Sequence, residues 1–178
     1  MNKKLLEKID EVVPEEALQA LLNEWNPIIR VDRTVRPTYP DLVKEVKYPE
    51  LELTGPAEFD IRKIEQWRHP KQIEGYATGD EIHEELLAKK LLDGCLCFAD
   101  LLAIQERGIS FFRRHFAGIG VIPAWKSVVM DRDGDLDVPY LYEYDDEVKL
   151  YWFWLDDSFD SGHPAVRVPQ VSAECSDS

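Results

Sequence analysis

Apolar residues recur with helical spacing through most of the first two thirds of the chain and with strand spacing through the last third. Leu5, Leu6, Ile9 and Val13, and after Pro14 the set Leu18, Leu21, Leu22 and Trp25, follow the 3.6-residue period. Pro14 with Glu15 and Glu16 suits a helix start, because a missing N–H costs nothing in the first turn and acids favour its positive end. An N-terminal helical pair is therefore expected over 1–25. From 26 to 57 the period is lost and Pro27, Pro37, Pro40 and Pro49 break any long element. Arg30, Arg33 and Arg36 alternate with Val31 and Val35 in this extended Pro-rich segment, which reads as a short strand or an arm lying over the body.

A helical region is expected over 58–118. Asp60 can cap a short helix carrying Ile61, Ile64 and Trp67, ended before Pro70. Thr78-Gly79-Asp80-Glu81 has the spacing of a capping box, followed by a stripe of Ile82, Leu86, Leu87 and Leu91 and a stop at Gly94. Asp100 or a neighbour starts a further helix that stops at Gly108, and Ser110 caps a shorter one through Phe116. After Gly118 the period changes to two. Val121 to Met130, Val138 to Glu143 and Val148 to Leu155 predict three strands, joined by turns at Asp133-Gly134 and Tyr144-Asp145-Asp146-Glu147. This β-meander fills 119–169, and a frayed tail is expected over 170–178. The fold class is α+β, a helical N-terminal and middle region packed on a C-terminal antiparallel three-stranded sheet, SH3-like or meander.

The chain's 178 residues, 44% of them hydrophobic and 31% charged, lie in the globular range. The net charge is −14. It falls unevenly: residues 1–47 carry −1, 48–118 carry −4 and 119–178 carry −9. So acidic a surface disfavours direct nucleic-acid binding, whose affinity comes from neutralising phosphates, and fits a basic protein or peptide. There is no signal-peptide core and no apolar run long enough for a membrane span, so no membrane role is expected. Three cysteines, with Cys95 and Cys97 one residue apart, form neither a zinc ribbon nor a redox pair, and a reducing cytoplasm is the simplest setting.

Four stretches together carry a resemblance: Pro49-Glu50-Leu51-Glu52-Leu53-Thr54-Gly55-Pro56, Gly108-Ile109-Ser110-Phe111-Phe112, Trp125-Lys126-Ser127-Val128-Val129, and Tyr151-Trp152-Phe153-Trp154-Leu155-Asp156. With these the chain resembles a family of uncharacterised bacterial proteins over roughly Arg33 to Val168. The resemblance implies a bacterial origin and transfers no catalytic residue.

Two constellations could carry chemistry. Asp131, Asp133, Asp135 and Asp137 alternate through a Gly-containing turn, as oxygen ligands of a divalent cation do, although the order is not that of an EF-hand and a hydrophilic hairpin turn is the favoured explanation. The meander places these four beside Asp156, Asp157 and Asp160, with Arg132 alone among them. The second constellation is aromatic: Trp125, Tyr140, Tyr142, Tyr144, Tyr151, Trp152, Phe153 and Trp154 fall within thirty residues. Strand alternation sends Trp152 and Trp154 to one face and Tyr151 and Phe153 to the other. Burial between two layers and an exposed binding face are both compatible with that.

These features predict a non-enzymatic binding protein whose acidic, aromatic sheet end, with Trp125, Tyr140, Tyr142, Trp152, Trp154, Asp156 and Asp157 as contact residues, engages a basic protein or peptide. No residue is assigned a catalytic role and no cofactor is required. The alternatives are an inhibitor or immunity-type protein or DNA mimic acting on a basic nuclease, and a metal-dependent hydrolase built on the Asp131 to Asp137 loop.

Overall fold

The helical period holds from Pro14 onward. In the computed structural model, which describes residues 14–169, α1 spans Glu15–Trp25 with both acids in its first turn. The first helix of the expected pair and the tail at 170–178 lie outside the described residues. No residue of α1 is buried. It is tied down at its C-terminal end: the Arg114 guanidinium lies 3.6 Å from the centroid of Trp25 and pairs with Glu24, and Arg107 donates to the carbonyls of Asn26 and Ile28.

The Pro-rich segment contributes β1 (Ile28–Arg30) and β2 (Val43–Val46). β1 pairs antiparallel with β3 (Glu58–Asp60). Asp60 caps as expected, accepting the Arg62 N–H at 3.0 Å, but what it caps is one 3₁₀ turn, Ile61–Lys63, rather than a helix reaching Trp67. The chain then extends as β4 (Glu65–Trp67) because β11 (Ala165–Arg167) offers it a ladder, and that long-range pairing outweighs the local helical spacing.

After α2 (Pro70–Glu74) and β5 (Ala77–Thr78), α3 spans Gly79–Ala88 and opens on the predicted capping box. The Glu81 N–H donates to Thr78 Oγ1 at 3.3 Å, and the Thr78 N–H donates to Glu81 Oε2 at 3.2 Å. α4 (Phe98–Gln105) starts two residues before Asp100, which instead reaches back from the first turn to accept the Cys97 N–H at 2.8 Å. α5 (Gly108–Phe116) begins at Gly108, whose φ of +78° suits glycine, so Ser110 sits inside the helix rather than capping it.

The stretch expected as one strand from Val121 is broken in two, β6 (Val121–Pro123) and β7 (Val129–Asp131), by a 3₁₀ turn at Trp125–Ser127. Both halves pair with the same edge of β8 (Leu136–Tyr144), through Ile122↔Leu141 and Val129↔Asp137. The kink is held from outside the sheet, where the Lys126 N–H donates to the Leu96 carbonyl at 3.2 Å. β9 (Glu147–Trp154) lies on the other edge of β8, and β2 extends the sheet beyond β7. The class is α+β, with a five-stranded sheet where three strands were expected. The short β10 (Ser158–Phe159) pairs with β5.

β8 is buried on both faces. Leu141 belongs to a core with Ile29, Phe59, Leu101, Phe111, Phe116 and Val166, whereas Val138 joins a second core of Ile82, Leu86, Trp125, Leu155 and Phe159. The two residues point to opposite faces of the strand, so the sheet is sandwiched between α4 and α5 on one side and α3 on the other.

Candidate functional site

The end of the sheet where β7 leaves and β9 finishes carries a cleft of about 450 Å³. Its polar lining is Asp131, Asp137 and Asp157; its apolar lining includes Tyr140, Tyr151, Trp152, Phe153 and Trp154, with Leu42 from the Pro-rich segment. The meander thus gathers at one place most of the residues that the sequence marked.

Among the carboxylates, Asp131 is consumed by the turn. One of its oxygens accepts the N–H groups of Asp133, Gly134 and Asp135 at 2.9, 2.8 and 2.9 Å, and Gly134 takes a φ of +98°. Asp133 and Asp135 are exposed and do not line the cleft. Asp160 is engaged locally by His163, whose Nδ1 lies 2.7 Å from its Oδ1, and this hydrogen bond holds the Asp160 carboxyl below its ordinary pKa. Among the described residues, no three His, Cys, Asp or Glu side chains are grouped so as to hold a metal ion.

Asp137 differs from all of these. It is only 3% exposed, yet its carboxylate makes no hydrogen bond or ion pair among the described residues. Burial pushes its pKa up to about 6, and Asp131, Asp135, Asp157 and Asp156 push in the same direction. A buried carboxylate with four acidic neighbours and no cation paired with it among the described residues is a standing electrostatic cost. It faces a cleft walled by aromatic rings.

The rings divide into support and surface. Tyr140, 7% exposed, stacks on Phe153 with centroids 3.8 Å apart, and burial raises the Tyr140 pKa to about 12. Trp152 packs against the stacked pair of Phe98 and Tyr39, at 5.7 and 6.3 Å from their centroids. Trp154 and Tyr151 are 55% and 60% exposed and form the accessible part of the wall. Tyr142 contacts the rings of Tyr140 and Tyr144 farther along β8, outside the cleft. Trp125 is a correction: it is fully buried, against Phe159 and the His83 ring, because the 3₁₀ turn drives it into the second core. It cannot contact a partner.

A second polar cluster went unnoticed in the sequence. Glu52, 2% exposed, accepts from Tyr39 Oη at 2.6 Å and from Ser127 Oγ at 2.5 Å, and Ser127 Oγ accepts the Phe98 N–H at 2.7 Å. Beside it Arg33 donates to Asp100 at 2.5 Å and to Cys97 Sγ at 3.1 Å. Burial raises the Glu52 pKa and lifts the Cys97 thiol to about 11. Ser127 and Glu52 have the residue types of a hydrolytic pair, but Ser127 is fully buried, so the network works as a clasp fixing the Pro-rich segment to α4 and the turn after β6. The one signal for it was Glu52 set between Leu51 and Leu53.

A larger depression of about 800 Å³ lies between α1, β1 and α5, but the guanidinium of Arg107 within it is already spent on main-chain carbonyls. Compared with known proteins, the chain matches no family model, no curated protein and no solved structure. The functional reading therefore rests on the chain's own geometry.

Proposed function

We propose that this is a non-enzymatic binding protein whose acidic, aromatic sheet end engages a basic protein or peptide, with one Arg or Lys side chain of the partner entering the cleft at Asp137. The observation that carries the reading is Asp137 itself, buried, without a partner among the described residues, and surrounded by like charges. A guanidinium or ammonium group would remove that cost and at the same time lie against the face of Trp154, the cross-strand neighbour of Asp137, where cation–π attraction adds to the ion pair. Asp157 in the cleft lining, with the exposed Asp156 next to it in the chain, would steer a basic partner inward. Asp131, committed to the turn amides, leaves the loop better suited to receive a cationic side chain than to coordinate a metal.

Within this reading an inhibitor or immunity-type protein masking a basic nuclease is the sharper form. Concentration of the carboxylates at one end of the sheet supports that over DNA mimicry, which needs charges spread along a face at phosphate-like spacing. The free, buried thiols of Cys95 and Cys97 support the reducing, cytoplasmic setting expected from the sequence, and a bacterial origin stays part of the proposal.

The reading is tested by following tryptophan fluorescence while a capped peptide of alternating arginine and valine is titrated into the full chain. Trp154→Ala, at an exposed position, should keep the fold and weaken binding about tenfold or more, a typical loss for a contact hot spot. Unchanged affinity in that variant rejects the site.

A further inference from the structure

β9 is an edge strand. It pairs with β8 from Asp137↔Trp154 to Tyr144↔Glu147 and with no other strand among the described residues. Two hydrogen bonds give the phase of its outward-facing groups. The Leu155 N–H donates inward to the Leu136 carbonyl, whereas the Val148 carbonyl accepts from Gln105 Nε2, at 2.9 Å, from the outer side. With a period of two, Val148, Leu150, Trp152 and Trp154 turn their main-chain groups away from β8. Gln105 takes the Val148 carbonyl, and the Asp157 N–H takes the Trp154 carbonyl at 3.1 Å. The N–H and C=O of Leu150 and Trp152 are left without a hydrogen-bond partner among the described residues.

Sheets usually blunt such an edge with proline, a bulge or charge. The opposite edge strand, β2, has a register shift between Val43 and Glu45. β9 has an unbroken register, no proline, and Lys149 as the single charge between Val148 and Trp154. The cleft reaches side chains from both of its faces, Trp152 and Trp154 on one and Tyr151 and Phe153 on the other.

We infer that the partner docks as an extended, basic segment that adds a strand to the outer edge of β9, hydrogen-bonded to Leu150 and Trp152, with a cationic side chain at the Trp154 end reaching Asp137. This rests on the cleft reading above and adds the binding mode. Charge complementarity selects the occupant: a second copy of the chain would bring the same acids, and a net charge of −14, to the same edge.

The test is amide hydrogen exchange by NMR on the full chain, free and with the capped arginine–valine peptide. On binding, exchange at Leu150 and Trp152 should slow about tenfold or more, with little change at Tyr151 and Phe153, whose amides already face β8. Two further peptides, N-methylated on alternate residues in opposite phases, should differ, one losing at least about tenfold in affinity and the other keeping it. Binding without protection at Leu150 and Trp152, or equal tolerance of both methylation phases, overturns strand addition and leaves the cleft reading standing. Failure of the peptide to bind overturns both. Protection of Leu150 and Trp152 in the free protein that grows with its concentration identifies a second copy as the occupant and also overturns the inference.

Discussion

Replacing Asp137 by Asn should stabilise the protein, and should do so only where the carboxylate is ionised. The native state raises this pKa from 3.8 to about 6 through burial and four acidic neighbours. The folded chain therefore holds a proton at Asp137 more tightly than the unfolded chain does. Between about pH 4 and pH 6 the native state binds the extra proton, so stability falls as pH rises through that window, and above the folded pKa the cost stays constant. At about 1.4 kcal/mol per pH unit, the shift corresponds to roughly 2 to 3 kcal/mol. Asn keeps the shape and removes the charge. At about pH 7.5, Asp137→Asn should be roughly 2 to 3 kcal/mol more stable than the unsubstituted chain, about 4 to 12 °C in melting temperature, and near pH 4 the two should coincide. Denaturant unfolding across that range is the assay, and the difference between the proteins cancels the carboxylates that both share, such as Asp60, which Arg62 holds at about 2. A variant equally or less stable at neutral pH, or a gain independent of pH, would show that Asp137 is satisfied in the native state and would remove the basis for a cation at this position.

Other substitutions separate scaffold from surface. Trp125→Ala should cost about 3 to 5 kcal/mol, since a fully buried ring is removed from the second core, whereas Trp154→Ala should change stability little; chemical denaturation of both checks the division. Gly79→Ala should destabilise despite alanine's better helix propensity, because the new Cβ would stand 2.8 Å from the Leu155 main chain; a rise in melting temperature would contradict that contact. Ser127→Ala should cost about 1 to 3 kcal/mol by leaving the Phe98 N–H unsatisfied in the interior and removing one of the two donors to Glu52, measurable in the same way.

Local signals were legible where a few adjacent residues complete a device. Thr78 and Glu81 satisfy each other's amides, Gly134 turns one hairpin, and Asp145 and Asp146, with φ of 52° and 59°, turn the next. The placement of Asp131, Asp137, Trp152, Trp154 and Asp157 around one site followed from the meander alone. What escaped the sequence depends on partners far along the chain. β4 is a strand because β11 pairs with it about a hundred residues later, and the Val121 strand breaks because Leu96 binds its middle. Alternation cannot tell Trp125 from Trp154, since both lie in strand-like apolar stretches and only the tertiary fold decides which is enclosed. Asp137 read as part of a hydrophilic turn, yet its register opposite Val129 and Trp154 puts it inside the sheet's end.

The proposed docking of a basic partner's cation on ionised Asp137 makes the affinity depend on pH. With a pKa of about 6, Asp137 is ionised in about nine molecules of ten at pH 7 and about one in ten at pH 5. Calorimetric titration of the capped arginine–valine peptide should accordingly show affinity falling up to about tenfold between those values for the unsubstituted chain. Asp137→Asn should bind weakly at both, with a nearly flat profile. Equal affinity and an equal pH profile in the two proteins would contradict that docking.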